Sequence, residues 1–455
     1  MAQDAAQALL DDALQAIEQR QWPLALAALH KALALAPDDA ALHINLAFVL
    51  DGMGDLPTAL EHLCDALDLA PDLPEVHLHL GTVLTRLGSV DLAEQSYRQA
   101  IQRAPHMVAA WCNLGSLLDH THRGAEAEHC LRHALALDAQ NASTLFNLAC
   151  LLLREGRLRE GWQVWEQRQW PIHHAHDWRC PRWRGEALQG KNILVVQDAG
   201  FGDMLQFSRF IPLLQAQSAT HTAVLCQPPL HPLMAQLPGV HAVYRWQEAE
   251  TALTTHQWDY WVPVMSLAAY LGSEAAPYGP TPPYFAPGTP PAHADLCIGI
   301  VWQGNPDFPH DAQRSISDAS VLAPLLAVPG TQWINLHKGS HPTLPGLHAV
   351  DGGLRDFVDT AAVLAGLDLV ISVDTAVAHL AGALGVPCWL MLPAYMTDWR
   401  WMRERSDTPW YPSLQLFRQV SSGDWASVVA QLTARLQAPD AVQAIRSLRH
   451  PQTSA

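Results

Sequence analysis

The 455-residue chain has no apolar run approaching the roughly 20 residues that a membrane helix needs, so membrane insertion is not expected. Its opening stretch, MAQDAAQALLDDALQAIEQR, lacks the basic n-region of a secretory leader and is acidic and amphipathic instead. Paired cysteines are missing as well. The eight cysteines are scattered, with no Cys-x-x-Cys and no metal-like spacing, as expected of free thiols in a reducing cytoplasm. Positive charge is in deficit: 27 Lys and Arg against 44 Asp and Glu leave a net charge of −17, which argues against a nucleic-acid partner. The Gly-x-Gly-x-x-Gly fingerprint of dinucleotide binding does not occur.

What is present is periodic. Ala25, Ala59, Ala93 and Ala127 recur every 34 residues, as do Ala32, Ala66, Ala100 and Ala134 and the leucines Leu46, Leu80, Leu114 and Leu148. Pro37, Pro71 and Pro105 end three units. This period, with small residues at fixed points, is the signature of tetratricopeptide repeats, two antiparallel helices per unit. Four good repeats are expected from about residue 6 to 139, followed by a degenerate fifth, ASTLFNLACLLLREGRLREGWQVWEQRQW. Such stacks wind into a superhelix with a concave binding face. Asn45, Asn113 and Asn147 share one register, with His79 in the fourth slot, on the first helix of each unit. A primary amide offers an acceptor and two donors, so this ladder either holds an extended acceptor peptide by its backbone or braces neighbouring helices.

Residues 154–184 hold seven arginines and five tryptophans. His173, His174, His176 and Cys180 lie in this stretch, but their spacing matches no established metal site. The segment reads as a junction whose tryptophans cap the solenoid and dock it onto the next domain. From Lys191 strands and helices alternate: KNILVVQDA, TAVLCQ and DYWVPV are strands, with helical stretches between them. Seven prolines within Pro277–Pro291 make a stiff linker, and alternation then restarts at LCIGIVWQG. Two α/β units imply a cleft, with ligands at the carboxyl ends of strands.

Three strand ends carry candidate chemistry. In ISVDTAVAHLAGALGVP, Asp374 is placed as an N-cap, which leaves the N–H groups of Thr375, Ala376 and Val377 open to an anion. His379 lies four residues beyond Thr375 on the same face and adds a donor, unless it is simply a half-buried core histidine. In QDAGFGDMLQF, Gly200 and Gly202 make an open loop and Asp203 opens the helix, either as a cap or as a carboxylate that takes a proton from an attacking hydroxyl. In VWQGNPDFPHDAQRS, Gln303, Asn305 and Arg314 sit on the loop after the second unit's first strand, and Lys338 ends the next one. The guanidinium of Arg314 suits a phosphate.

With these motifs in place, the chain from about Trp183 to Trp425 resembles the lipopolysaccharide heptosyltransferases, glycosyltransferase family 9, and most of all their bacterial relatives with tetratricopeptide repeats. The carriers are GFGDMLQFSRFIPLL, GIVWQGNP, QRSI, LHKG, DTAAVLAGLDLVISVDTAVAHLAGALGVP and DWRW. The layout also resembles O-linked N-acetylglucosamine transferase and some flagellin glycosyltransferases. The resemblance implies a GT-B fold and an inverting transfer from a nucleotide sugar. It gives Asp203 the role of base, places Asp374 and Thr375 against sugar and diphosphate, and matches His379 to the family's following histidine. Ala376 stands where heptosyltransferases usually have glycine. The loop at Asn305 is less basic than is common in the family. No Asp-x-Asp occurs in the chain, so neither a metal nor any cofactor beyond the sugar nucleotide is expected.

The expected organisation is an α-helical solenoid over 1–153 and a Trp/Arg-rich junction over 154–190. A Rossmann-like acceptor-side domain over 191–276 and a Pro-rich linker over 277–294 come next. A Rossmann-like nucleotide-sugar domain over 295–440 and a tail over 441–455 complete it. The corresponding function is a cytoplasmic glycosyltransferase acting on a hydroxyl of a protein, flagellin among the candidates, held by the solenoid. The alternatives are a catalytically inactive interaction scaffold and a heptosyltransferase acting on a glycolipid.

Overall fold

A computed structural model describes residues 2–168, 178–272, 276–286, 295–308, 311–339 and 344–448. His173, His174 and His176 of the junction lie outside the described residues, as does the second half of the Pro-rich linker. The chain divides into two compact units, Met1–Leu151 and Leu152–Ala455.

The first unit is helical throughout. Its helices are α1 (Ala2–Glu18), α2 (Trp22–Leu35), α3 (Ala40–Met53), α4 (Leu56–Leu69), α5 (Pro74–Arg86), α6 (Val90–Arg103), α7 (Val108–His120), α8 (Gly124–Leu137) and most of α9 (Ala142–Arg154). The 34-residue alanines are the reason neighbouring helices pack so closely: all eight are fully buried. Larger partners reach across from the second helix of a pair to small residues on the first. A Cβ on Gly81 would sit 2.5 Å from the Tyr97 ring, and one on Gly115 would sit 2.7 Å from Leu131. The ends are set locally. Asp39 caps α3 through the Ala41 N–H, and Gly54, at φ +86°, terminates it in the left-handed conformation that glycine adopts without strain.

The second unit begins with the end of α9 and α10 (Leu158–Gln167), followed by two parallel sheets. The first contains β1 (Asn192–Val196), β2 (His221–Cys226), β3 (Ala242–Arg245) and β4 (Tyr260–Pro263), in the order β3-β2-β1-β4. Between and after them run α11 (Phe201–Phe207), α12 (Ile211–Ala216), α13 (His231–Met234), α14 (Ala249–Thr255) and α15 (Leu267–Leu271). The second sheet contains β5 (Leu296–Val301), β6 (Thr331–Asn335), β7 (Leu347–Ala349), β8 (Leu369–Val373), β9 (Cys388–Leu392) and β10 (Leu414–Arg418), in the order β10-β9-β8-β5-β6-β7. Its helices are α16 (Asp311–Arg314), α17 (Ala323–Leu326), α18 (Phe357–Ala365), α19 (Ala376–Leu384), α20 (Trp425–Leu436) and α21 (Ala441–Ser447).

Both sheets are doubly wound. Counted from its own first strand, the second reads 3-2-1-4-5-6 and the first reads 3-2-1-4, so the order reverses between strands one and four of each. Crevices for ligands open at such reversals, at the carboxyl ends of the strands. The central strands explain their apolar composition: β8 and β9 are buried along their whole length, as parallel strands covered on both faces must be.

Several segments differ from the sequence expectation. The first part of the Pro-rich linker is docked, with Phe285 buried and Tyr284 donating from its hydroxyl to the Leu205 carbonyl. The tail over 441–455 begins as α21, whose Ile445 enters the core of the second sheet. The second helix expected of the degenerate fifth repeat forms as α10, but its Trp162 meets Phe207 and Trp399 edge to face within the α/β unit. Trp183 then donates its backbone N–H to the Trp261 carbonyl alongside β4.

Candidate functional site

The two helices that follow the first strand of one sheet and the fourth strand of the other come together. Gly202, in the first turn of α11, lies against His379 of α19. A Cβ there would approach the imidazole to 2.7 Å, so only glycine permits this packing without a shift. Phe201 meets Phe357 of α18 edge to face at 5.3 Å. The sequence motifs around Asp203 and around Asp374 are therefore one place in the folded unit.

Asp203 is not the residue that opens its helix. Gly200 is the N-cap and α11 starts at Phe201, so Asp203 holds the third position and accepts the Gly200 N–H at 2.8 Å. The glycine loop lets the chain double back, and the carboxylate returns to seal it. The other carboxylate oxygen takes Arg400 Nη2. Arg400 is buried and fully engaged. Its Nη1 forks onto both oxygens of Asp398 at 3.0 and 3.1 Å, and its Nε donates to Gln206. The guanidinium thus ties the helix after β1 to the segment after β9.

Asp374 is likewise not the N-cap of α19. That position belongs to Thr375, whose backbone is extended and whose side chain makes no capping bond. Thr375 Oγ1 instead pairs with Ser372 Oγ at 3.0 Å. The first turn of α19 is consequently uncapped by any side chain, and Asp374, Thr375, Ala376 and Val377 are all half-buried. Burial, and then the charge of Asp398, push the Asp374 carboxyl up to about 6. Burial also works against ionisation of Asp398, but Arg400 overrides it and holds that carboxyl below its ordinary range. His379 lies beside Asp374, with Nε2 3.9 Å from its carboxylate and Nδ1 3.0 Å from the Tyr411 hydroxyl. Burial, then Arg400, bring its imidazole down to about 3, so it is neutral at physiological pH.

The remaining predicted residues line the neighbouring loops. Arg314 donates to Asp311 at 3.0 Å and lies over the Phe308 ring, close enough to act electrostatically on both Asp374 and His379. Gln303 donates its amide to the Ile316 carbonyl, and the exposed Asn305 accepts the Asp307 N–H. Lys338 is exposed and reaches the Arg355 carbonyl ahead of α18. In the solenoid, Asn113 donates to Thr82 and Asn147 to Cys112, each across to the preceding repeat. Asn45 turns back onto the Ala41 carbonyl, and His79 packs edge to face on Phe48. All four ladder residues are half-buried.

Sequence reasoning missed several parts of this centre. Asp398 and Arg400 stand within DWRW, a motif with no role readable from its spacing. Arg209 is buried beneath the rings of Tyr284 and Tyr411 and donates to the Trp410 carbonyl. Asp198, five residues before Asp203, is the most informative omission. Burial pushes its carboxyl up to about 7, with Arg168 opposing and Asp203 adding to the rise. Two acidic residues flanking a glycine loop were the available signal.

Tetratricopeptide-repeat models match residues 16–79 and 78–128. Protein FlbA of Caulobacter vibrioides is 26% identical over 329 residues, covering 64% of this chain and 54% of FlbA, so the chain spans about half the length of that curated relative. A thermophilic repeat protein from Thermus thermophilus is 22% identical over 36% of this chain and 89% of its own, with a TM-score of 0.34. YrrB, described as a repeat protein with an unusual peptide-binding site, is 19% identical over 35% of this chain and 82% of its own, with a TM-score of 0.29. Tetratricopeptide repeats thus form the N-terminal helical solenoid, and a region of parallel sheets and helices follows it in the chain.

Proposed function

We propose that the chain is an inverting glycosyltransferase with a GT-B arrangement, moving a sugar from a nucleotide-sugar donor to a hydroxyl of a protein presented by its repeats. The observation that carries this reading is the convergence of the two strand-end turns: Gly202 against His379, with Asp203 and Asp398 sharing Arg400. On this reading the diphosphate lies on the uncapped first turn of α19, where N–H groups and the helix dipole favour an anion. Arg314 adds positive charge beside it. The acceptor oxygen attacks the anomeric carbon from the opposite side, the bond to the diphosphate breaks, and the hydroxyl proton passes to a carboxylate.

Asp203 and Asp198 are the carboxylates available on the acceptor side. A carboxyl lifted to about 7 is well matched to proton uptake near neutrality, which favours Asp198 as the acceptor of that proton and gives Asp203 a positioning role. The test is a screen of nucleotide sugars for donor hydrolysis, followed by intact-mass analysis of candidate protein acceptors, flagellin included. Asp198→Asn and Asp203→Asn are compared in the same assay. A lone structural role for both predicts unchanged turnover per folded molecule.

A second reading is supported by one detail. Both oxygens of Asp203 are already engaged, by Gly200 and Arg400, as they would be in a scaffold that has kept the packing of a transferase without its turnover. Nucleotide binding without hydrolysis or transfer of any donor is the result that favours it.

A further inference from the structure

We infer that His43, His62 and Asp65, on the facing helices α3 and α4, form a divalent-metal site of the zinc class. His62 and Asp65 lie one turn apart on α4, and His43 faces them from α3. The two Nδ1 atoms are 3.1 Å apart, and Asp65 Oδ2 lies 3.5 Å from His43 Nδ1 and 4.0 Å from His62 Nδ1. Ligands about 2.0–2.2 Å from a tetrahedral zinc ion stand about 3.3–3.6 Å from one another, so these three edges bracket one face of such a site. Among the described residues, this is the one group of three or more His, Cys, Asp or Glu side chains so placed.

The repeat itself settles which nitrogen of His43 is available. His43 Nε2 is 3.2 Å from the Pro37 carbonyl. One period later, His77 Nε2 is 2.8 Å from the Pro71 carbonyl. One period further, Trp111 Nε1 donates to the Pro105 carbonyl at 2.8 Å. An indole nitrogen can only donate, so a ring N–H onto the turn proline is an element of this repeat. His43 therefore commits its Nε2 proton to Pro37 and turns a lone pair on Nδ1 toward His62 and Asp65. A backbone acceptor on the far ring nitrogen is also what orients a metal-bound histidine.

A simple hydrogen bond from His62 to His43 would account for the 3.1 Å contact but not for the carboxylate, which stands beyond ordinary hydrogen-bond length from both rings. A shared cation accounts for all three. The equivalent positions in the fourth repeat hold Trp111, Cys130 and His133, with the His133 ring packed against Trp111, so the donor set is not a property of the repeat. Two imidazoles and one carboxylate suit zinc better than calcium or magnesium, and exposed Asp65 leaves a fourth position open to water.

The test is calorimetric titration of zinc chloride into the full metal-free chain with His173, His174 and His176 changed to Ala, so that those histidines do not compete. Cobalt absorption reports coordination geometry. One equivalent is expected to bind. Asp65→Asn and His62→Ala are each expected to weaken it by at least about 10–100-fold, with helical circular dichroism unchanged, while His77→Ala leaves it intact. Absence of a stoichiometric site, or equal affinity in the Asp65→Asn chain, overturns the assignment. Asp65 is exposed, so that variant decides the matter even if His62→Ala perturbs the repeat.

Discussion

Arg400 is where the α/β unit is most exposed to a single change. Arg400→Met retains an apolar stem but removes the cation shared by Asp203 and Asp398, next to an Asp374 carboxyl already pushed up by burial. Arg400 is only 5% exposed, while the Asp203 and Asp398 side chains it would leave are 23% and 35% exposed and are partly rescued by water. Breaking a fully buried pair from one side costs about 3–5 kcal/mol, and with carboxylates this exposed the loss is expected at the lower end of that range. Asp203→Asn is gentler. It can still accept the Gly200 N–H, and Arg400 keeps Asp398, so the loss is that of one charged hydrogen bond, about 1.5–3 kcal/mol and nearer the lower end for a side chain 23% exposed. Once Arg400 is gone, neutralising Asp203 removes a repulsion instead of an attraction. The double variant should therefore cost at least about 1 kcal/mol less than the sum of the singles. Denaturant midpoints followed by tryptophan fluorescence, with the solenoid followed separately by helical circular dichroism, measure all four chains. Strict additivity, or an Arg400→Met chain within about 1 kcal/mol of wild type, refutes the claim that this guanidinium joins the two strand-end segments.

The pH dependence has two opposing parts. Asp374 is raised to about 6, so its contribution to stability is full below its ordinary value and is lost as pH rises through 6; His379 is lowered to about 3, so its contribution is full above 6.5 and is lost as pH falls through 3. Asp198, raised to about 7, acts in the same direction as Asp374, so the two chains are compared with each other: relative to the wild type, the thermal midpoint of Asp374→Asn should fall steadily as pH drops from 6 to 4, and the variant is the more stable chain above pH 6. Chains starting at Leu152 and at Trp178 separate the roles of the two units, since the α/β unit starts at Leu152 and α10 supplies Trp162 to its core. The longer chain should bind nucleotide and lose transfer to protein, as measured by calorimetry and intact mass. The shorter should melt earlier, because losing one buried tryptophan alone costs about 3–5 kcal/mol.

The repeats were legible because their spacing is a property of the chain itself: eight alanines on a 34-residue period fix which faces pack. The central strands were legible for a related reason, their continuous burial. The strands β3 and β7 were not, since each is a short edge strand of four or three residues with no fully buried position. The site divided along the same line. Gly200, Gly202, Asp203, Asp374, Thr375 and His379 were readable as strand-end turns, and the doubly wound order brings them together. The caps were misassigned because an Asp beside a Thr or a Gly does not reveal where the first helical turn closes. Arg400 was invisible because its meaning lies in Gln206 and Asp203, 194 and 197 positions away.

The central claim is that the first turn of α19 receives a diphosphate. Titration calorimetry of nucleoside diphosphates against the full chain and its Thr375→Val variant tests it most directly. At least one nucleoside diphosphate is expected to bind with one-to-one stoichiometry. Thr375→Val, folded by circular dichroism, should lose about 1.5–3 kcal/mol, roughly 10–150-fold in affinity. No binding by any nucleoside diphosphate, or equal affinity in the two chains, contradicts it and leaves that turn as packing alone.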